Sequence, residues 1–282
     1  MNARQTVYLN GEFLPIEEAR VPVLDRGFIF GDGIYEVVPV YGGRPFRWSQ
    51  HLARLERSLA KVGIADPFDR DRWTALVGDL VARHPWRDQL IYMQVTRGVA
   101  RRDHGFPKDT TPTVFAMASE FVAPSRQMRE QGLATISLPD ERWLHCDIKS
   151  TSLLGNVLAR QAAIEAGATE CILFRDGCLT EGSASNIWLV RNGGVTGPPN
   201  DNLVLEGIRY GLMSELCERA GVPFELRRIV RREVESADEL LLTSATKEIL
   251  PITTLDGQPV GSGRPGPVYA KLHAAYQEAK AS

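Results

Sequence analysis

The sequence predicts a mixed α/β (α+β) chain of two domains, a small N-terminal one over residues 1–122 and a larger C-terminal one over residues 123–282. Runs that alternate in polarity, such as Ile91-Tyr92-Met93-Gln94-Val95-Thr96, recur in both halves and read as strands. Stripes at helical spacing lie between them, with Leu52, Leu55, Leu59 and Val62 the clearest. Phe121-Val122-Ala123-Pro124-Ser125 separates two periodic regions with proline and small residues and sets the boundary. At 282 residues the chain exceeds the usual size of a single core.

The first strands are Val7-Tyr8-Leu9 and Phe13-Leu14, joined through Asn10-Gly11, a turn that suits right-twisted strands. Residues 21–24 extend the sheet, and residues 34–40 resume it after glycines at 27, 31 and 33, which mark close approach of backbone to another segment or a ligand. On that strand Tyr35 and Val37 share the face opposite Ile34 and Glu36. Ser49 is the expected N-cap of a helix ending at Gly63, and a second helix spans 71–83. Strands at 91–98 and 113–118 are joined by a loop over 99–112.

Beyond the boundary come a strand at 133–138, a helix over 154–166 stopped by Gly167, and a strand at 170–174. The tight turn Asp176-Gly177 and a strand at 187–190 follow. A helix from Leu205 to Ala220 stops at Gly221, a strand from Leu240 ends in the hydroxyls of Thr243 and Ser244, and a helix over 268–279 closes the chain.

Composition excludes several classes of function. The net charge of −2 and pI near 6.2 give no electrostatic reason for a nucleic acid or an anionic membrane as partner. Four cysteines without CxxC spacing or a histidine set read as reduced thiols, with no metal. The N-terminus lacks the apolar core of a leader, and no apolar run approaches the ~20 residues that cross a bilayer. A soluble, cytoplasmic protein is the expectation.

Lysine is scarce, six against twenty-seven arginines, so each can be weighed. Lys61, Lys271 and Lys280 fall in amphipathic helices, Lys108 in a polar loop, and Lys247 beside Glu248, all solvated settings. Lys149 instead follows Ile148 and precedes small hydroxyls and Leu153-Leu154, a segment that reads as buried. Burial favours the neutral amine, each pKa unit corresponding to about 1.4 kcal/mol, and a neutral amine attacks carbonyls as a Schiff-base lysine must. On the residues alone Lys149 also reads as a snorkelling strand-end lysine, Glu181 as a turn carboxylate, Tyr35 as a half-buried sheet aromatic and Arg54 as a solvated helix residue. Arg102 and His104, two apart in the 99–112 loop, offer donors to a carboxylate from an extended segment, or form a solvated charged tip. The helix start after Gly207 is a phosphate cradle or simply a turn.

Three separated stretches, in order, resolve these choices. They are Arg26-Gly27-Phe28-Ile29-Phe30-Gly31-Asp32-Gly33-Ile34-Tyr35-Glu36, Asp147-Ile148-Lys149-Ser150 and Thr180-Glu181-Gly182-Ser183-Ala184-Ser185-Asn186. Together they resemble the class IV, or fold-type IV, pyridoxal-phosphate aminotransferases, and among these the D-amino-acid transaminases, over nearly the whole chain. The resemblance implies a fold-type IV enzyme whose larger C-terminal domain carries a mixed sheet and binds pyridoxal 5'-phosphate. It implies Lys149 as the lysine bound to the cofactor and Glu181 as the partner of its ring nitrogen. Arg54, Ser185, Leu205, Ile208, Arg209 and Ala245 become further cofactor-binding positions, and Tyr35, Arg102 and His104 the trap for the substrate carboxylate. A homodimer is expected, transferring an amino group from a D-alanine-type donor to 2-oxoglutarate or pyruvate.

The chain also departs from the pattern. Arg209-Tyr210 stands where the family usually has Thr or Ser followed by a base, Ala245 stands where it often has a third hydroxyl, and Trp188 replaces Phe or Tyr. Two phosphate-binding hydroxyls are thus missing, which leaves the backbone N–H groups of Ile208, Arg209 and Ala245 and shifts charge neutralisation to Arg54, joined by Arg209. Three rivals are a branched-chain L-amino acid transaminase, an aminodeoxychorismate-type lyase that eliminates pyruvate, and a catalytically inactive α/β binding protein.

Overall fold

The computed structural model describes residues 5–205 and 208–281. Asn10 and Gly11 both take positive φ, 49° and 108°, and so close the two-residue turn between β1 (Thr6–Leu9) and β2 (Glu12–Pro15), where Leu9 pairs with Glu12. Residues 21–24, expected as strand, form no strand; Asp25 N bonds back to Pro22 in a turn, and Val23 is 72% exposed. A short helix that the sequence did not announce follows, α1 (Arg26–Phe30). Asp25 caps it by accepting from the Gly27 amide at 2.8 Å, and Gly31 ends it in the left-handed region.

The unit continues with β3 (Gly33–Tyr41), β4 (Arg44–Pro45), α2 (Trp48–Val62), α3 (Arg70–Ala82), β5 (Gln89–Thr96) and β6 (Thr113–Glu120). Six antiparallel strands run in the order β2-β1-β6-β5-β3-β4. Along β3, Ile34, Glu36 and Val38 are fully buried, whereas Tyr35 and Val37 turn to the other face. Leu52, Leu55 and Leu59 of α2 join Trp73, Leu76 and Leu80 of α3 in one core with Ile34, Val38, Ile91 and Met93. Ser49 is not the N-cap of α2: Arg47 holds that position with φ 57°, and the Ser49 hydroxyl bonds Gln50 instead. Gly63 ends the helix, as expected, with φ 64°.

Contacts group the chain into two compact units, Met1–Val122 with Ile148–Leu153, and Ala123–Asp147 with Leu154–Ser282. The segment carrying Lys149 therefore packs with the first unit. Ser150 bridges Ile34, the Tyr35 amide donates to the Lys149 carbonyl at 2.9 Å, and the Thr151 amide donates to Gly33 O at 3.0 Å. A Cβ on Gly31 would stand 2.7 Å from Ser152 Oγ, so this glycine marks the close passage of that segment.

The second unit contains α4 (Arg126–Gln131), β7 (Leu133–Pro139), α5 (Leu154–Glu165), β8 (Glu170–Arg175), β9 (Cys178–Gly182), β10 (Asn186–Arg191) and β11 (Gly194–Gly197). It ends with α6 (Ile208–Ala220), β12 (Phe224–Leu226), α7 (Arg231–Glu235), β13 (Glu239–Ser244), β14 (Glu248–Leu255), β15 (Gln258–Pro259) and α8 (Pro267–Ala281). The sheet is mixed and ordered β12-β11-β10-β13-β14-β7-β8-β9, with β15 on β14. β7 runs parallel to both neighbours. β8 and β13 are buried on both faces along most of their length, which explains why Cys171-Ile172-Leu173-Phe174 and Leu240-Leu241-Leu242 read as unbroken apolar runs. Among the described residues no helix is long and apolar enough to cross a membrane.

Truncating Leu55, fully buried between α2 and the first sheet, to alanine should cost about 2–5 kcal/mol. Urea unfolding followed by tryptophan fluorescence measures this, and an unchanged midpoint would contradict the packing described.

Candidate active site

Lys149 is positioned by its backbone. Its carbonyl accepts from Tyr35, and its amide points at Ser58 Oγ of α2 at 3.4 Å. The side chain is half-buried rather than buried, and the apolar run that suggested burial ends on a 70% exposed Leu154. Nζ stands 4.2 Å from the centre of the Tyr35 ring and, among the described residues, pairs with no carboxylate. Tyr35 stacks on Tyr92 at 5.7 Å, and burial followed by the neighbouring Tyr35 pushes the Tyr92 phenol up to about 12, so it donates to Gln94 as a neutral group.

Other lysines behave differently. Lys247, expected in solvent, bonds Glu170 at 3.1 Å, and Lys280 bonds Glu248 at 2.6 Å; both carboxylates are fully buried. A lysine whose one described neighbour is an aromatic face is chemically distinct from one fixed on a carboxylate.

Arg54 is not a solvated helix residue. Nε and Nη2 form a fork on Glu36 at 2.6 and 2.8 Å, with His51 Nδ1 on the same carboxylate at 2.8 Å. Burial alone would raise the Glu36 carboxyl, but Arg54 and then His51 pull harder and hold it well below the usual carboxylate range. Arg102 and His104 are exposed, and both sit against the Phe30 ring, at 5.4 Å each. The loop is anchored beneath them, because Arg26 donates to the carbonyls of Asp103 and Gly105 at 2.6 and 3.3 Å. The structure thus joins Arg102 to His104 and Tyr35 to Lys149.

In the second unit Glu181 projects from β9 into a buried cluster. One oxygen takes Arg142 Nη1 in a very short bond, and the other faces the Leu205 amide at 3.2 Å and the Asn186 amide at 3.4 Å. Burial pushes its carboxyl up, against the pull of Arg142 and the Leu205 N–H. Arg142 also forks onto Asp140, Nε at 2.9 Å and Nη2 at 2.8 Å, while Thr180 Oγ1 donates to Asp140 at 2.8 Å. Burial raises Asp140, but Arg142 and Thr180 more than offset this and hold it below its ordinary value.

Ser185 is buried, and its hydroxyl donates to Glu170 at 3.0 Å. Glu170 also takes the Ser183 hydroxyl, its amide at 3.1 Å and Lys247. One carboxylate thus ties the turn after β9 to the turn after β13, where Ala245 lies half-buried. Thr243 accepts from Trp188 Nε1 at 2.9 Å, and the Trp188 ring packs on Tyr210 at 4.8 Å, so the larger indole is absorbed by the departures around it. Ile208 opens α6. The Arg209 side chain, Glu206 and Gly207 lie outside the described residues. The roles of Glu36, Asp140, Arg142 and Glu170 depend on partners remote in sequence: Arg54 is 18 residues from Glu36, Thr180 is 40 from Asp140, Glu181 is 39 from Arg142 and Lys247 is 77 from Glu170.

Comparison with known proteins agrees with this architecture. Residues 33–255 match the model of the amino-transferase class IV family. The chain is 40% identical to the D-alanine aminotransferase of Bacillus licheniformis over 96% of its own length and 95% of that protein's. Among solved structures it is similar to the branched-chain amino acid aminotransferase of Escherichia coli, with a TM-score of 0.92 at 23% identity, covering 98% of this chain and 94% of that one. It is also similar to a T.th. branched-chain amino acid aminotransferase solved with pyridoxamine 5'-phosphate, with a TM-score of 0.90 at 25% identity and the same coverages. The chain belongs to the class IV aminotransferases, with the fold-type IV architecture, and is a transferase acting on amino groups.

Because the Glu36 carboxyl is depressed in the folded chain, the unfolded chain binds its proton first as pH falls below 4.5, so this contribution to stability is present above 4.5 and is lost through the acid window below it. E36Q, which removes the carboxylate charge that Arg54 forks onto, should lose about 3–5 kcal/mol at neutral pH and show a shallower acid decline. Denaturant titrations across pH check this; equal acid slopes in the two proteins would contradict it.

Proposed function

We propose that this class IV aminotransferase transfers the amino group of D-amino acids of the D-alanine type to 2-oxoglutarate or pyruvate, with pyridoxal 5'-phosphate as cofactor. The observation that carries the reading is the Lys149 amine, set over Tyr35 with no carboxylate partner among the described residues, in a chain 40% identical to a D-alanine aminotransferase.

The residues present suit the cofactor. An amine not locked into an ion pair is available to an aldehyde, and a buried carboxylate with one oxygen taken only by long amide contacts suits a ring N–H. The phosphate positions lack two hydroxyls, Ala245 standing at one of them, so the phosphate would rest on the backbone N–H groups of Ile208, Arg209 and Ala245, with Arg54 joined by Arg209 to meet its charge. Pyridoxal 5'-phosphate, when bound, supplies an aldehyde for the amino group and a protonated ring that accepts the electron pair left on the substrate Cα. Lys149 is the residue whose Nζ would hold the cofactor aldehyde, and once the substrate amine has taken its place the freed Nζ would remove the Cα proton as base and hand it back as acid. Glu181 keeps the proton on the ring nitrogen. Tyr35, Arg102 and His104 hold the substrate carboxylate and thereby choose the face on which the Cα proton lies.

A branched-chain L-amino acid activity is the second reading, favoured by the structural likeness to the T.th. enzyme. A cytoplasmic homodimer suits the chain: Cys146, Cys171 and Cys217 are free buried thiols, and α5 exposes Leu154, Val157 and Leu158 by more than half, an apolar face that a second copy would cover.

Borohydride reduction of the yellow holoenzyme, followed by peptide mass mapping, should place the adduct on Lys149, and K149A should give none; an adduct on another lysine would refute the assignment. Half-reactions followed by cofactor absorbance should be faster with D-alanine than with L-valine or L-leucine, and the opposite order would favour the second reading. R102L should raise KM for D-alanine about tenfold or more, the value of a charge-assisted hydrogen bond, and an unchanged KM would remove Arg102 from the trap.

A further inference from the structure

The Glu181 cluster holds two carboxylates, Glu181 and Asp140, and two guanidiniums, Arg142 and Arg175. Arg142 divides itself unequally. Asp140, just past the end of β7, takes Nε and Nη2 in a planar fork and also accepts the Arg142 amide at 3.1 Å, whereas Glu181 receives Nη1 alone. Arg175 Nη2 adds to Asp140 at 3.1 Å and to the Arg142 carbonyl at 2.6 Å. Thr180, next to Glu181 in β9, spends its hydroxyl on Asp140 and on the Leu173 carbonyl. The geometry therefore pulls the guanidinium toward Asp140 and leaves Glu181 with a single strong donor.

This matters for a carboxylate that must hold a proton on a neighbouring ring nitrogen. A guanidinium wholly committed to Glu181 would neutralise it and weaken its hold on that proton; one shared with a second carboxylate does so less. We propose that Asp140 is a positioning residue of the site, which by engaging two nitrogens of Arg142 restrains the guanidinium to one contact with Glu181 and preserves the negative charge that Glu181 turns to the cofactor ring. The proposal rests on the reading that Glu181 faces the ring nitrogen. Other titratable groups near the guanidinium are thiols: burial pushes Cys146 up to about 11 and Cys171 to about 12, so both remain neutral through the working range.

The test is the ring-nitrogen resonance of holoenzyme carrying 15N-labelled pyridoxal phosphate, followed against pH in wild type, D140N, D140E and E181Q. In D140N the ring nitrogen should lose its proton about one pH unit lower than in wild type, and the single-turnover half-reaction with D-alanine should slow about tenfold, with KM little changed. D140E, which keeps the charge, should restore the wild-type titration, and serves alone if D140N does not fold: a shift there as large as that of E181Q would overturn the proposal. A wild-type titration in folded D140N would overturn it as well, while E181Q still moves the resonance. If E181Q leaves the resonance unmoved, the assignment of Glu181 fails, and this proposal with it.

Discussion

A carboxylate removed from water must have its charge matched, and this chain meets that constraint largely with arginine drawn from elsewhere in the sequence. Glu36 is held by Arg54, Asp32 by Arg26 and Arg97, Asp140 and Glu181 by Arg142. Each pairing is also a tie between elements. Glu36 locks β3 to α2, and Arg97 joins Asp32 to the carbonyls of Val62 and Gly63 at the end of α2. Breaking one such pair leaves an uncompensated charge behind, which is why these contacts fix geometry more firmly than their net energies suggest.

Against this background the state of Lys149 is informative. Lys247 and Lys280 are bound to buried carboxylates, yet the amine in the motif segment is left to an aromatic face. Its backbone is nonetheless fixed, since residues 149–151 hydrogen-bond to the start of β3 on a sheet whose opposite face carries the core of α2 and α3. A rigidly mounted amine with no counter-ion among the described residues is suited to forming and breaking a covalent bond. Glu181 is the complementary case: a buried carboxylate whose guanidinium is shared with Asp140.

Local chemistry was readable from the sequence where the residues that act are neighbours. Asn10-Gly11 and Asp176-Gly177 close their hairpins with positive φ at both positions, Gly63 ends α2, and the alternation along β3 puts Tyr35 and Glu36 on opposite faces. The site motifs were readable because three stretches recur in a known order. What stayed hidden depends on partners remote in sequence. Arg54 falls off the apolar stripe of α2 and so looks solvated, although Glu36 waits for it on β3. Lys247 looks solvated beside Glu248, although its partner is Glu170. Residues 21–24 look like a strand, but Pro22 and the capping carboxylate of Asp25 turn the chain into α1 instead.

The central claim is that the Lys149 amine itself moves the substrate proton. Its most direct test is chemical rescue of K149A holoenzyme reacting with Cα-deuterated and ordinary D-alanine in the presence of small primary amines. The account predicts a very slow reaction without added amine, a rate that rises in proportion to amine concentration, and a primary isotope effect on the rescued rate. A variant that reacts as fast without amine, or that no amine restores although the cofactor is bound, would contradict it.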